Sequence, residues 1–373
     1  MEPSRTVRRA FVIFLLIMLP PVLCRAPAAR RFVEVDMADS RGAYAGVATG
    51  DVDGDGQSEI LAGRREGAQG LCLFSFKNGR WTRTVIRMNG QYGGVELADI
   101  TGNGTPDIIA VKTDGNPAGL ELFRTRQKNG QTTFQPLPSP FTETGCDDVA
   151  VGDIESDGDL DLALATRGKG VQVFLNQGRA ERFRRLGLET NVYEDSGIGM
   201  GDLNGDGRLD IVSSNHPGEN LRLFLCSASG AVRYGPAHTR GLPGAGIGYR
   251  IVIGEFNGDG HNDLATGSER AGLRFFYGNG CRGAESSWWT EASPADHGRQ
   301  TMQISTGDLN EDGRPDFAFS STSGIFVILN RGGGNFSSRI SAGLPEGGTY
   351  SGCQLFDHEG DGDLDLVCTS FRD

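Results

Sequence analysis

The chain has 373 residues, a formal charge of −12 and 57 glycines. That glycine content suits a fold dense in tight turns, and no helical period of useful length is visible. No basic-aromatic motif of a known nucleic-acid module is present, which argues against nucleic acid as a partner although the chain outside its acidic turns is net basic. Length alone suggests two domains. A regular repeat without a linker instead predicts one domain over residues 31–373.

The first residues are basic, with Arg5, Arg8 and Arg9, and lead into an apolar run from Ala10 to Leu19. Pro20, Pro21, Val22, Leu23 and Cys24 follow. The run is too short to span a bilayer and has the layout of a secretory signal peptide. Residues 1–24 are therefore expected to be removed, with Ala28 as a second cleavage point. No later segment is long and apolar enough for a membrane span. A secreted or extracellular mature chain is expected, or a periplasmic one in a bacterium.

From residue 44 onward a single unit recurs. A short apolar segment ends in Gly-Asp, an acidic turn follows, and an aliphatic run such as Asp210-Ile211-Val212-Ser213 leads away from it. A glycine-rich break precedes a third, alternating segment such as Val171-Gln172-Val173-Phe174, and a weaker fourth precedes the next unit. These are strand signals separated by turn residues. The turn has the form Asp-x-Asp/Asn-Gly-Asp-Gly-x-x-Asp and starts at Asp51, Asp99, Asp153, Asp202, Glu255, Asp308 and Asp357, at spacings of 48 to 54 residues. Four antiparallel strands per unit, repeated radially, make a propeller blade. The expected fold is all-β, a seven-bladed β-propeller. Phe32-Val33-Glu34-Val35 is placed to supply an outer strand to the last blade, removing an open edge. The chain stops just after the second strand of the seventh repeat, so that blade is expected to be short or the chain shortened.

Positions 1, 3, 5 and 9 of each turn carry side-chain oxygens and nothing soft. They are Asp51, Asp53, Asp55 and Glu59 in the first repeat and Asp99, Asn103 and Asp107 in the second. The third has Asp153, Glu155, Asp157 and Asp161, and the fourth Asp202, Asn204, Asp206 and Asp210. Glu255, Asn257, Asp259 and Asp263 follow, then Asp308, Asn310, Asp312 and Asp316, then Asp357, Glu359, Asp361 and Asp365. Calcium takes six to eight oxygens in a flexible shell, which alternate residues of a tight turn can supply. Five to seven calcium ions are expected, the second repeat being poorest in carboxylates. The turns hold 26 of the 48 acidic residues, so the net charge is largely ligand charge. An EF-hand is excluded: its twelfth position is Ala62, Leu164, Ser213, Phe319 or Cys368 where it should be Glu.

The run Gly201-Asp202-Leu203-Asn204-Gly205-Asp206-Gly207-Arg208-Leu209-Asp210-Ile211-Val212 and its counterparts resemble the FG-GAP/VCBS repeat family, found also in integrin α-subunit propellers. Phe174-Leu175-Asn176-Gln177-Gly178 resembles its third-strand signature. The resemblance implies a seven-bladed propeller with calcium in the hairpin between the first two strands of each blade. It also implies an extracellular role in adhesion or lectin-like binding, or attachment to an enzyme.

Removal of Cys24 with the leader leaves six cysteines, and export favours disulfides. Cys353 and Cys368 flank the seventh turn on the two strands of one hairpin, which predicts a bridge between them. On the face opposite the acidic turns, Tyr44, Tyr92, Tyr193, Tyr249 and Tyr350 fall at one place in their blades, and Arg64, Arg167, His216 and Arg270 lie in neighbouring loops. Rings and cations around one concavity suit a glycan or an extracellular protein ligand. The leading expectation is a secreted calcium-binding module for adhesion. The alternative is a carbohydrate-active enzyme such as a polysaccharide lyase that uses the Tyr/Arg/His face. No catalytic motif is present, and oligomeric state is not legible.

Overall fold

In a computed structural model, residues 14–18, 32–37, 44–64, 70–114, 119–188, 195–215, 221–227, 231–242, 250–268, 272–292, 301–341, 343–345 and 347–370 are described. Two short strands come first, β1 (Phe14–Met18) and β2 (Phe32–Asp36). Six antiparallel blades follow, each folded from one continuous stretch with its strands in chain order. The first contains β3 (Tyr44–Gly50), β4 (Glu59–Arg64), β5 (Leu71–Lys77) and β6 (Arg80–Arg87). The second contains β7 (Tyr92–Ala98), β8 (Asp107–Lys112), β9 (Gly119–Lys128) and β10 (Gln131–Leu137). The third contains β11 (Cys146–Gly152), β12 (Asp161–Thr166), β13 (Gly170–Asn176) and β14 (Phe183–Leu186). In the fourth, β15 (Asp195–Gly201), β16 (Asp210–Asn215) and β17 (Leu221–Phe224) are extended only by bridges from Leu223 to His238 and from Cys226 to Tyr234. The fifth contains β18 (Ile251–Gly254), β19 (Asp263–Thr266), β20 (Arg274–Gly278) and β21 (Trp289–Ala292). The sixth contains β22 (Thr301–Gly307), β23 (Asp316–Ser321) and β24 (Gly324–Ile328), followed by a small hairpin of β25 (Asn330–Gly332) and β26 (Asn335–Phe336). Last come β27 (Tyr350–Phe356) and β28 (Asp365–Ser370). One short 3-10 turn, Glu285–Ser287, is the only helical element among the described residues.

The seventh repeat builds no blade from its own residues, because only β27 and β28 remain of it. They join the N-terminal strands in a composite sheet of order β2-β1-β28-β27. β2 takes the outer position expected of that segment. The position between β2 and β28 goes to β1, which lies inside the stretch expected to leave as a signal peptide. The physical demand is plain: β28 presents a row of backbone groups that need a partner. β1 meets it with the register Phe14–Cys368, Leu15–Val367 and Leu16–Leu366. Deleting residues 1–24 is expected to lower stability by about 2 kcal/mol and the melting temperature by roughly 3 °C. Differential scanning calorimetry of the full and truncated chains measures it, and identical midpoints would show that β1 adds nothing.

The core is divided into wedges. Seven clusters of buried apolar side chains are found among the described residues, each filling the gap between adjacent sheets. One of them holds Phe356 and Val367 of the composite sheet against Ile60, Phe74 and Trp81 of the first blade. The second residue of each acidic turn is what enters the wedge. Val52, Ile100, Ile154, Leu203, Phe256 and Leu309 are each at most 3% exposed. A buried aliphatic side chain of this size contributes about 1.5–3 kcal/mol. In the seventh turn the same position is His358, whose ring stacks on Trp81 at 4.8 Å. The carbonyls at this position also tie one blade to the next. Val52 O accepts from Gln127 Nε2 (2.7 Å), Ile100 O from Asn176 Nδ2 (2.9 Å) and Phe256 O from Asn330 Nδ2 (2.9 Å). His358 O accepts from the Ser58 backbone N–H at 3.2 Å, joining the seventh turn to the first.

Cys353 stands opposite Cys368 in the β27–β28 register, as the hairpin required. The expected disulfide is not formed, and Cys353 and Cys368 are both free thiols. Both thiols are buried in the wedge beside the sixth blade. There the Cys353 sulfur is directed at the carbonyl oxygens of Gln303 (3.4 Å) and Ala318 (3.5 Å).

Candidate functional site: the acidic hairpins and the channel mouth

Each acidic turn is organised by its first and last carboxylates, which do different work. The first accepts backbone N–H groups from inside the turn. Gly54 and Gly56 donate to the two oxygens of Asp51 at 2.7 and 2.9 Å, and Gly205 and Gly207 do the same to Asp202 at 2.7 and 2.8 Å. Gly54 and Gly56 sit at φ of 76° and 87°, the left-handed region that such a turn requires. Positions 3 and 5 form nested side-chain turns: Asp206 N–H donates to Asn204 Oδ1 at 2.9 Å and Arg208 N–H to Asp206 Oδ1 at 3.0 Å. Positions 1, 3 and 5 thus lie on one short loop, with acceptor lone pairs left over.

Position 9 turns away from solvent. Asp107, Asp161, Asp210, Asp263 and Asp316 are fully buried. Each spans two backbone N–H groups: in four of them one is at position 2 of the turn and one at or just beyond the end of the third strand, while Asp107 takes Thr101 at position 3 and Thr125 within the third strand. For Asp316 these are Leu309 (2.9 Å) and Asn330 (2.7 Å); for Asp210 they are Leu203 (3.0 Å) and Cys226 (2.8 Å). Asp365 makes the first of these bonds, from His358 N–H at 3.2 Å. Burial pushes Asp210 and Asp263 up to about 7 and Asp161 and Asp316 up to about 6, against the pull of the amides. These residues, expected as metal ligands, also clamp the turn to the blade.

The first repeat departs from this. Its ninth residue is Glu59, which accepts from Val52 N–H at 2.9 Å. The longer side chain brings one oxygen together with one each from Asp51 and Asp53, all within 4.8 Å of one another. Such a set of hard carboxylate oxygens fits a calcium ion. Local cations already meet some loop acids: Lys77 pairs with Asp53 and Arg314 with Asp312.

The opposite end of the ring carries the starts of the inner strands, and these approach one another closely. A Cβ on Gly46 would lie 2.0 Å from the Gly93 carbonyl oxygen, so only glycine fits. Large side chains at this level are therefore directed into the wedges. Tyr44 and Tyr92 are at most 1% exposed and Tyr350 is 7% exposed. Tyr92 donates to Glu121 Oε2 at 2.8 Å, and Tyr44 packs edge-on against Phe74 at 6.2 Å with the Arg64 guanidinium 5.5 Å from its ring. Burial pushes the Tyr44 hydroxyl up to about 12, away from the range of a base acting near neutrality. These three tyrosines, expected around the ligand, pack into the wedges, and Tyr92 also lines the cavity at the channel mouth. Tyr193, Tyr249, His216 and Arg270 lie outside the described residues.

What does surround the mouth is a cavity of about 300 Å³, lined by five of the six blades and β27. Its polar groups include Gln91, Thr113, Asp147, Asp148, Arg167, Ser196, Gln303 and Ser351. Arg167, the one expected candidate found here with a solvent-exposed side chain, donates from Nε to Asp147 Oδ2 at 2.6 Å. Further down the channel a second cavity of about 380 Å³ contains Glu96, Asp148 and Arg250. Arg250 reaches from the fifth blade to Glu96 of the second, Nη2 to Oε1 at 2.9 Å. Burial pushes the Asp148 carboxyl up to about 7, with Arg250 pulling the other way. Asp147, Asp148, Glu96, Arg250 and Gln303 were missed in the sequence, although charged residues at the start of otherwise apolar inner strands were a usable signal. Replacing Arg250 by Ala leaves Glu96 and Asp148 without their shared cation. We expect a loss of about 2 kcal/mol at pH 7.5 by urea denaturation, and a smaller loss at pH 5.5, where the Asp148 carboxyl is protonated.

The profile of FG-GAP-like repeats matches residues 51–110, 99–164, 153–213, 255–319 and 308–368. Each match runs from one acidic turn through the following one, and the unmatched residues 214–254 fall where the fourth blade is irregular. No curated protein matches the chain. Among solved structures, a lectin from Agrocybe aegerita described for specific recognition of non-reducing terminal N-acetylglucosamine aligns with TM-score 0.59 and 16% identity, covering 98% of this chain and 96% of that one. BBS1N, solved in complex with ARL6DN, aligns with TM-score 0.52 and 10% identity over 87% and 91%. At these identities the likeness concerns the fold. Matches extending over well more than half of its length, on a β-propeller carrying the acidic turns at the matched positions, show that the chain belongs to the FG-GAP-like repeat family.

Proposed function

We propose that this protein is a secreted, calcium-loaded propeller of seven blades that binds a glycan at the channel mouth. The observation that carries the reading is the cavity of about 300 Å³ at the end away from the acidic hairpins, where side chains from five blades and β27 converge. Ligand pockets are concave and carry a few placed polar groups. The shared fold with a lectin supports a binding role, and the absence of any exposed tyrosine at the described mouth disfavours the lyase alternative. A glycan array with and without chelator tests it. Binding that is lost in Arg167→Ala while the melting temperature is unchanged supports the reading, and an array without signal in calcium sinks it.

Seven blades are supported by the seven wedges, which leave the composite sheet packed between the sixth blade and the first. Calcium is supported by the Asp51, Asp53 and Glu59 oxygens and by the repeated hard-ligand turns. Bound there, it would supply charge neutralisation and cross-linking of each hairpin. Secretion rests on the N-terminal basic and apolar run. Cleavage after Cys24 and retention of β1 are alternative fates of one segment, and N-terminal sequencing of the exported protein decides between them.

A further inference from the structure

The cavity at the channel mouth has an unbalanced set of polar groups. Two of its nearby carboxylates are already compensated: Asp147 by Arg167 at 2.6 Å and, below it, Glu96 by Arg250 at 2.9 Å. Asp148 has no cation of its own: it shares Arg250 with Glu96, so three carboxylates face two guanidinium groups. Its side chain lines both cavities and the residue is 7% exposed. Among the described residues it receives only backbone N–H groups, from Val149 at 3.0 Å and Ile198 at 3.3 Å. Gln303 lines the same cavity, and its Oε1 is enclosed without a hydrogen-bond partner. An enclosed acceptor without a donor is costly, and a buried anion that must share its cation is more so.

The cavity therefore lacks N–H donors and one positive charge. We propose that it takes the primary ammonium of an unacetylated amino sugar, with Asp148 as counter-ion and Gln303 Oε1 as a second acceptor. This rests on the glycan reading above and narrows it. An ammonium carries three donors and a charge, so it meets both demands at once. A neutral sugar meets Gln303 and leaves Asp148 sharing its cation. A uronate faces three carboxylates whose cations are already engaged. The volume lies at the lower end of ligand pockets, about 300–1,000 Å³, and suits one ring. Gln91, Thr113, Ser196 and Ser351 supply the neutral polar wall that ring hydroxyls need. Burial raises the Asp148 carboxyl, and the shared Arg250 offsets only part of that rise.

Isothermal titration with methyl glucosaminide and methyl N-acetylglucosaminide tests this, in saturating calcium and 150 mM salt so that the hairpins do not attract the cation. The expected result is a preference of about tenfold or more for the free amine, abolished in Asp148→Asn, whose single amide oxygen keeps the shorter bond, from Val149 N–H. Equal affinities for the two sugars overturn the ammonium site and leave glycan binding standing. Tight binding of lysine methyl ester, matching the amino sugar, overturns the sugar as its bearer. Failure of every glycan on the array is instead the failure of the broader reading.

Discussion

Asp316→Ala is expected to cost about 4 kcal/mol, and to cost it equally with calcium and in chelator. The reason is that Asp316 is a clamp. It is fully buried and holds the Leu309 and Asn330 backbone N–H groups at 2.9 and 2.7 Å. Truncation strands both amides in the interior, each at about 1–3 kcal/mol. Leu309 is also the residue that enters the wedge between the sixth blade and the composite sheet, so the loss spreads from hairpin to interface. Asp316→Asn is expected to cost less, since it mimics the neutral acid that burial favours. In Asp308→Ala the Asp312 and Gly313 N–H bonds are lost together with the metal contribution, and the part of its cost that disappears in EDTA reports the metal. Urea denaturation with calcium and with EDTA measures all three. A cost for Asp316→Ala that disappears in EDTA would make it a ligand and not a clamp.

Removing calcium is expected to lower the melting temperature by roughly 20 °C at pH 7.5, since each of about five sites held at 100 times its Kd contributes about 2.7 kcal/mol. The pH dependence should then invert. Burial raises Glu59, Asp210 and Asp263 to about 7 and Asp161 and Asp316 to about 6. A raised carboxyl binds its proton more tightly when folded. Its stabilising contribution is fully present below the unfolded value, about 4, and is lost as pH rises through the folded value. In EDTA the protein should therefore melt higher at pH 5.5 than at pH 7.5. With excess calcium the order should reverse, because protons compete with the metal for the turns. Melting curves at the two pH values settle the sign, and stability that rises with pH in EDTA contradicts the burial of these groups.

Much of the fold was legible because the acidic turn is local. Asp202 to Asp210 carries its own glycines, its own acceptors and the strand starts on either side, so the turn and the blade period follow from neighbouring residues. The division of labour inside the turn was not legible. Nothing in the sequence distinguishes Asp202, facing solvent, from Asp210, buried on two amides; the distinction needs Cys226, sixteen residues away. The tyrosines failed for a related reason. Tyr44 and Tyr92 recur at one place in their blades, but Gly46 and Gly93 bring the inner strands so close that rings there are directed into the wedges.

The blade follows from neighbouring residues, because strand alternation and turn chemistry act over a few residues and repeat. Which side chains meet across the channel follows from the assembled ring. Arg250 and Glu96 are 154 residues apart and Asp148 and Gln303 belong to the third and sixth blades. Such pairs are set by how many blades surround the axis and how closely they pack, and no local pattern encodes that spacing.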